Sequence, residues 1–135
     1  VLPLGEWQHV AISYDGSSRA DGLQMWVNGR REDCATVRDN LSKEIRGGGG
    51  DKIAIGERFR DRGFSGGSVD EFKVFSRQLS AIEVRQLHDG ESLVIALETP
   101  ATKLSKEDES RLLEYYLLAI DVPSMTRRKE LQQQR

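Results

Sequence analysis

The chain has 135 residues, 37% of them hydrophobic and 31% charged, with Lys plus Arg at 20 against Asp plus Glu at 22. By size this is about one domain at roughly 150 residues per domain. A net charge of −2 lacks the basic excess of a nucleic-acid backbone binder, no run of about 18 apolar residues spans a membrane, and the single cysteine, Cys34, excludes an internal disulfide or a multi-cysteine zinc site.

From the amino terminus, Trp7 to Tyr14 predicts a strand with Val10, Ile12 and Tyr14 on one face, closed by the turn residues Asp15 and Gly16. Leu23, Met25 and Val27 form a second alternating set ending at Asn28-Gly29. That dipeptide signals a hairpin, because both residues tolerate the positive φ of a type I′ turn. A return strand through Cys34 and Val37 is expected next. Ile53 and Ile55 predict a fourth strand after the run Gly47 to Gly50, and Ser68 to Phe75 a fifth, preceded by the loop at 60–67. Five short strands with turns between them predict an antiparallel sandwich or barrel.

Beyond this region the composition changes. All thirteen glycines lie between Gly5 and Gly90, and seven of the nine aromatic residues precede residue 76. Glycine-punctuated β-branched runs favour strands, whereas a glycine-free stretch rich in Leu, Glu, Lys, Arg and Gln favours helix. Ser80-Ala81-Ile82-Glu83 fits a capping box, predicting a helix to about His88 with Gly90 as its stop. Ser105 with Asp108 repeats the signature ahead of Leu112, Leu113, Tyr116, Leu117 and Ile120 at helical spacing. That helix should end near Asp121, with Asp121 capping a last helix through Met125 and Leu131. The last helix has few apolar positions, so it is expected to fray or to pair with another part of a longer protein. Since the chain starts at Val1 with no leader, it reads as a piece of such a protein.

Trp7-Gln8-His9-Val10-Ala11, Tyr14-Asp15-Gly16 and Gly22-Leu23-Gln24-Met25-Trp26-Val27-Asn28-Gly29 together resemble the central strands of the laminin-G-like, concanavalin A-like jelly roll. The resemblance continues through Ile53-Ala54-Ile55-Gly56 and Phe64 to Phe75, and closes with Ser76-Arg77-Gln78-Leu79-Ser80. It implies a mainly β fold: a partial antiparallel jelly-roll β-sandwich at 1–90, the carboxyl-terminal part of the module, followed by an α-helical connector at 91–135. The absent strands would leave an apolar sheet face uncovered. In the tail, Leu112-Leu113-Glu114-Tyr115-Tyr116-Leu117 resembles the segment after the jelly roll in large planctomycete cytochrome-c-type multi-domain proteins. This implies an exported, periplasmic or cell-surface setting, with flanking domains of a parent protein as partners.

The resemblance also implies a non-catalytic module that recognises a glycan or glycoprotein, or else a purely structural scaffold between domains. Asp70 corresponds to a structural calcium ligand in relatives, but calcium takes roughly 6–8 oxygens and one carboxylate makes no site. Asp70 and Glu71 do not read as a glycosidase pair. Adjacent strand residues point to opposite faces, whereas hydrolysis needs two carboxyl groups about 5–9.5 Å apart across one bond. Arg58, Arg60 and Asp61, near Phe59 and Phe64, form the candidate ligand-binding loop. Glu107-Asp108-Glu109 belongs to the first turn of a helix, where the dipole favours negative charge. Trp7, Trp26 and Cys34 read as packing residues. His9 reads as a packed strand residue, and His88 as a helix carboxyl-terminal one.

Overall fold

Asn28 and Gly29 take φ of 49° and 71°, the backbone that a tight type I′ hairpin requires. The flanking segments pair accordingly in the computed structural model, which describes residues 3–42, 55 and 66–134. Strand β1 (Val10–Tyr14) runs antiparallel to β2 (Leu23–Val27), with Val10 opposite Val27, Ile12 opposite Met25 and Tyr14 opposite Leu23. A short β3 (Arg30–Glu32) pairs with the other edge of β2, giving the order β1-β2-β3. Asn28 also ties the hairpin to the segment before it. Its side-chain oxygen accepts from the His9 backbone N–H at 2.9 Å, and its amide donates to Gln8 Oε1 at 2.7 Å.

Helices follow where the composition changes: α1 (Ala81–Asp89), α2 (Ser92–Glu98), α3 (Lys106–Tyr115) and α4 (Val122–Gln133). The capping box at Ser80 forms as the sequence predicts, with Glu83 Oε2 accepting from both the Ser80 N–H and its hydroxyl at 2.9 Å. Gly90 ends α1 at φ 79°, its N–H donating to the Gln86 carbonyl. Ser105 caps α3 through the Asp108 N–H, and Asp121 caps α4 through the Ser124 N–H. Between α3 and α4, Tyr116–Ile120 widens into a π-helical turn closed by the Asp121 N–H on the Tyr116 carbonyl at 2.8 Å. Helix α2 went unanticipated, because Leu93-Val94-Ile95 is a short β-branched run between two stronger helix signals.

The chain divides into two units, Val1–Asn40 with Phe75–Arg135 and, separately, Leu41–Val74. In the first, Trp26, Leu79 and Val84 are buried together, with Ala11 and Ala81 packed against them. Ala11 stands opposite Trp26 across the ladder, so α1 covers the face that carries Ala11, Ser13, Gln24 and Trp26. The Ser13 hydroxyl donates to the Leu79 carbonyl at 3.5 Å along the same seam. The opposite, more apolar face lies open, as expected of a sheet face left uncovered: Ile12 is 66% exposed, and Val10, Leu23 and Met25 are exposed with it. Strand β1 and the last helix are joined where Gln132 donates to the Asp15 carbonyl at 2.9 Å.

Several expectations are corrected. The described residues contain three strands in one antiparallel sheet. The third strand stops at Glu32, leaving Cys34 and Val37 exposed rather than packed. Ser68 to Phe75 forms no strand, because Glu71 lies at φ 52°, in the left-handed region, and interrupts the extended run. Trp7 is 70% exposed and packs in no core, whereas Trp26 is buried as expected. The expected strand residue Ile53 and the Gly47 to Gly50 run lie outside the described residues.

Candidate functional site

Of the site residues predicted from sequence, Asp70 lies among the described residues. Asp70 is exposed, and its Oδ1 accepts the Glu71 N–H at 2.8 Å, while Glu71 pairs with Lys73 at 2.7 Å. Among the described residues no three His, Cys, Asp or Glu side chains gather as a metal site. Calcium takes roughly six to eight oxygens, which one carboxylate does not supply. Arg58, Arg60 and Asp61 lie outside the described residues. Glu107, Asp108 and Glu109 occupy the first turn of α3, as the dipole argument predicts.

A different arrangement emerges where the sheet meets α1 and α3. A cleft of about 740 Å³ opens there, within the 300–1,000 Å³ range of small-molecule sites. Its sheet wall includes Trp26 beside Arg30 and Arg31. The facing wall carries Arg85 and His88 from α1, and Arg111 and Glu114 from α3. Register explains the sheet wall. Trp26 stands opposite Arg31, so both side chains share the face on which α1 packs. Gly29 permits the close approach, because a Cβ there would meet His88 Cδ2 at 3.2 Å and Arg85 Cγ at 3.4 Å, at a backbone φ of 71°. His9 and His88 come together at the same seam, with ring centroids 5.6 Å apart.

The acidic groups of the cleft already have partners. Glu114 accepts the N–H of Ala81, the first residue of α1, at 3.1 Å. Glu107 pairs with Arg111, which also reaches Asp108 at 2.9 Å. Asp89 is held by the Ser92 hydroxyl and accepts the N–H groups of Glu91 and Ser92 at 3.0 and 2.9 Å. Partial burial raises the Asp89 carboxyl, but those hydrogen bonds and the nearby charge of Arg85 outweigh it and lower it to about 2 from an ordinary 3.8. The Asp108 carboxyl is lowered by the Ser105 hydroxyl, then by Arg111 and, more weakly, by Arg85.

The donors are not matched in the same way. Arg30, Arg31 and Arg85 form no ion pair among the described residues. Trp26 is 5% exposed, and its indole N–H meets no acceptor. An unmet buried donor costs about 1–3 kcal/mol. Arg85 acts by its charge on Asp89 and Asp108, and the lining sets Arg30, Arg31, Arg85 and Arg111 against Asp89, Glu107 and Glu114. It contains no nucleophile paired with a base and no carboxylate pair left free to act on a glycosidic bond.

Sequence reasoning missed this cleft because its walls are far apart in the chain. Arg31 follows a hairpin turn, Arg85 lies in a helix, and neither belongs to a spaced motif. The alternation that places Arg31 on the Trp26 face is legible once the Asn28-Gly29 turn fixes the register.

The chain belongs to the concanavalin A-like lectin/glucanases superfamily, whose Laminin_G_3 family matches residues 1–85. No significant match is found among curated proteins or among solved structures. Among the described residues no helix is long and apolar enough to cross a membrane.

Proposed function

We propose that the chain is a non-catalytic carbohydrate- or glycoprotein-recognition module of a larger exported protein. The observation that carries this reading is membership of a lectin-type superfamily over residues 1–85. The cleft supports recognition over turnover, since its carboxylates are engaged by backbone N–H groups and by Arg111 rather than free for acid–base work. In this reading residues 1–90 are the carboxyl-terminal part of the jelly roll and 91–135 connect to a following domain. Arg58, Arg60 and Asp61 belong to the recognition surface on the strength of their loop composition. The parent would be a multi-domain assembly of the planctomycete kind that the tail resembles.

One observation favours a second reading, a structural module between domains. The sheet face of Val10, Ile12, Leu23 and Met25 is exposed, and contiguous apolar surface marks an interface with another part of a protein. A glycan array probed with the chain separates the two. Binding to a defined carbohydrate class, with no release of reducing ends, is expected of the first. Silence across the array, with tight association to the flanking domains, would replace it by the second.

A further inference from the structure

Helix α4 is 12 residues long and buries no side chain. An isolated helix shorter than about 12–15 residues is marginal in water, so α4 depends on what holds it to the rest of the chain. It cannot gain stability by extending α3, because Pro123 lacks the N–H that a continuous helix would direct at the Ala119 carbonyl. Asp121, extended at φ −74° and ψ 99°, breaks the path after the π-helical turn and caps α4 through the Ser124 N–H at 3.0 Å. That bond secures the first turn alone.

A second hold lies toward the far end and is polar. Arg128 and Gln132 stand four positions apart, hence on one side of the helix. Arg128 donates to Gln78 Oε1 at 3.4 Å, and Gln132 donates to the Asp15 carbonyl at 2.9 Å. Gly16 makes the second bond reachable: its φ is 75°, and a Cβ there would lie 2.8 Å from Gln132 Nε2. The two anchors flank the Ser13–Leu79 bond, since Gln78 precedes Leu79 and Asp15 follows Ser13 by two residues. The helix thus ties together the two segments whose seam carries the core.

We propose that α4 is a releasable strap: Gln132 latches it across Gly16 to the turn after β1, and opening of that contact lets α4 melt as a unit while the hairpin and α1 stay folded. Elements with few buried apolar contacts open at lower free energy than the core, and α1 carries the fully buried Ile82 and Val84 where α4 carries none. The inference stands apart from the recognition reading. It makes the Asp15–Gly16 turn the point at which the state of the tail is coupled to the hairpin.

Hydrogen–deuterium exchange of the full chain, resolved amide by amide with NMR, tests the proposal. In the unsubstituted chain the amides of Thr126 to Gln133 should exchange together, at least about tenfold faster than those of Val84 to Leu87 in α1. Gln132→Ala raises helix propensity but removes the latch donor. It should speed the whole α4 set by about three- to tenfold, the share of one hydrogen bond, and leave the α1 amides unchanged. Gln133→Ala, in the same turn but outside the latch, should speed nothing. Equal protection of α4 and α1 would overturn the proposal by making them one cooperative unit. Acceleration confined to the last turn in Gln132→Ala would reduce the strap to end fraying, and unchanged exchange in that variant, or an equal response to Gln133→Ala, would remove the latch.

Discussion

The two faces of the β1-β2 hairpin differ in the opposite sense to their sequences. The face with the more apolar side chains, Val10, Ile12, Leu23 and Met25, is exposed. The face with Ala11, Ser13, Gln24 and Trp26 receives α1 and becomes the core. Steric fit accounts for the choice. Small residues at Ala11 and Ser13 leave a recess beside Trp26 that Leu79 and Val84 fill, and a close-packed interior rewards that interdigitation more than the summed hydropathy of a flat face. Alternation therefore tells which residues share a face, but shape decides which face is covered.

The comparison can be broken most severely at Trp26. Trp26→Ala removes the largest buried side chain of the covered face and should cost about 3–5 kcal/mol, read as a lower midpoint in urea denaturation. A loss under about 1 kcal/mol would mean that α1 does not rest on this face. A second probe is acid. The Asp89 carboxyl is held at about 2 against 3.8 when unperturbed, so its contribution is complete above 3.8 and is lost as the pH falls through about 2. Asp89→Asn should flatten the decline of the thermal midpoint across that window, and an unchanged profile would show that the end of α1 contributes nothing there. The smallest effect belongs to the open face: Ile12→Thr, at a position 66% exposed, should change stability by no more than about 0.5 kcal/mol. A cost of several kcal/mol in solution would show that the face is covered after all.

Much of the local structure was legible because it rests on short-range chemistry. The Asn28-Gly29 turn, the Ser80–Glu83 box, the Gly90 stop and the Asp121 cap each depend on residues within a few positions of one another, and each forms where the sequence places it. What failed depended on partners elsewhere. Ser68 to Phe75 alternates correctly for a strand, but alternation does not supply a neighbour to pair with, and Glu71 adopts a left-handed backbone instead. Cys34 and Val37 continue the apolar rhythm beyond Glu32, yet the ladder to β2 ends there. The cleft was invisible for the same reason, since Arg31 and Arg85 come to line one recess only after α1 has chosen its face of the sheet.

The bond between the Ser13 hydroxyl and the Leu79 carbonyl joins residues 66 positions apart. During synthesis at about 5–20 residues per second, that separation leaves the hairpin without its helix for roughly 3–13 s after Ser13 is made. Throughout that interval both broad sides of the ribbon are bare. The nascent chain thus passes through a stage in which association with other chains competes with its own completion, and the arrival of Leu79 and α1 covers the side that carries Ala11 and Trp26.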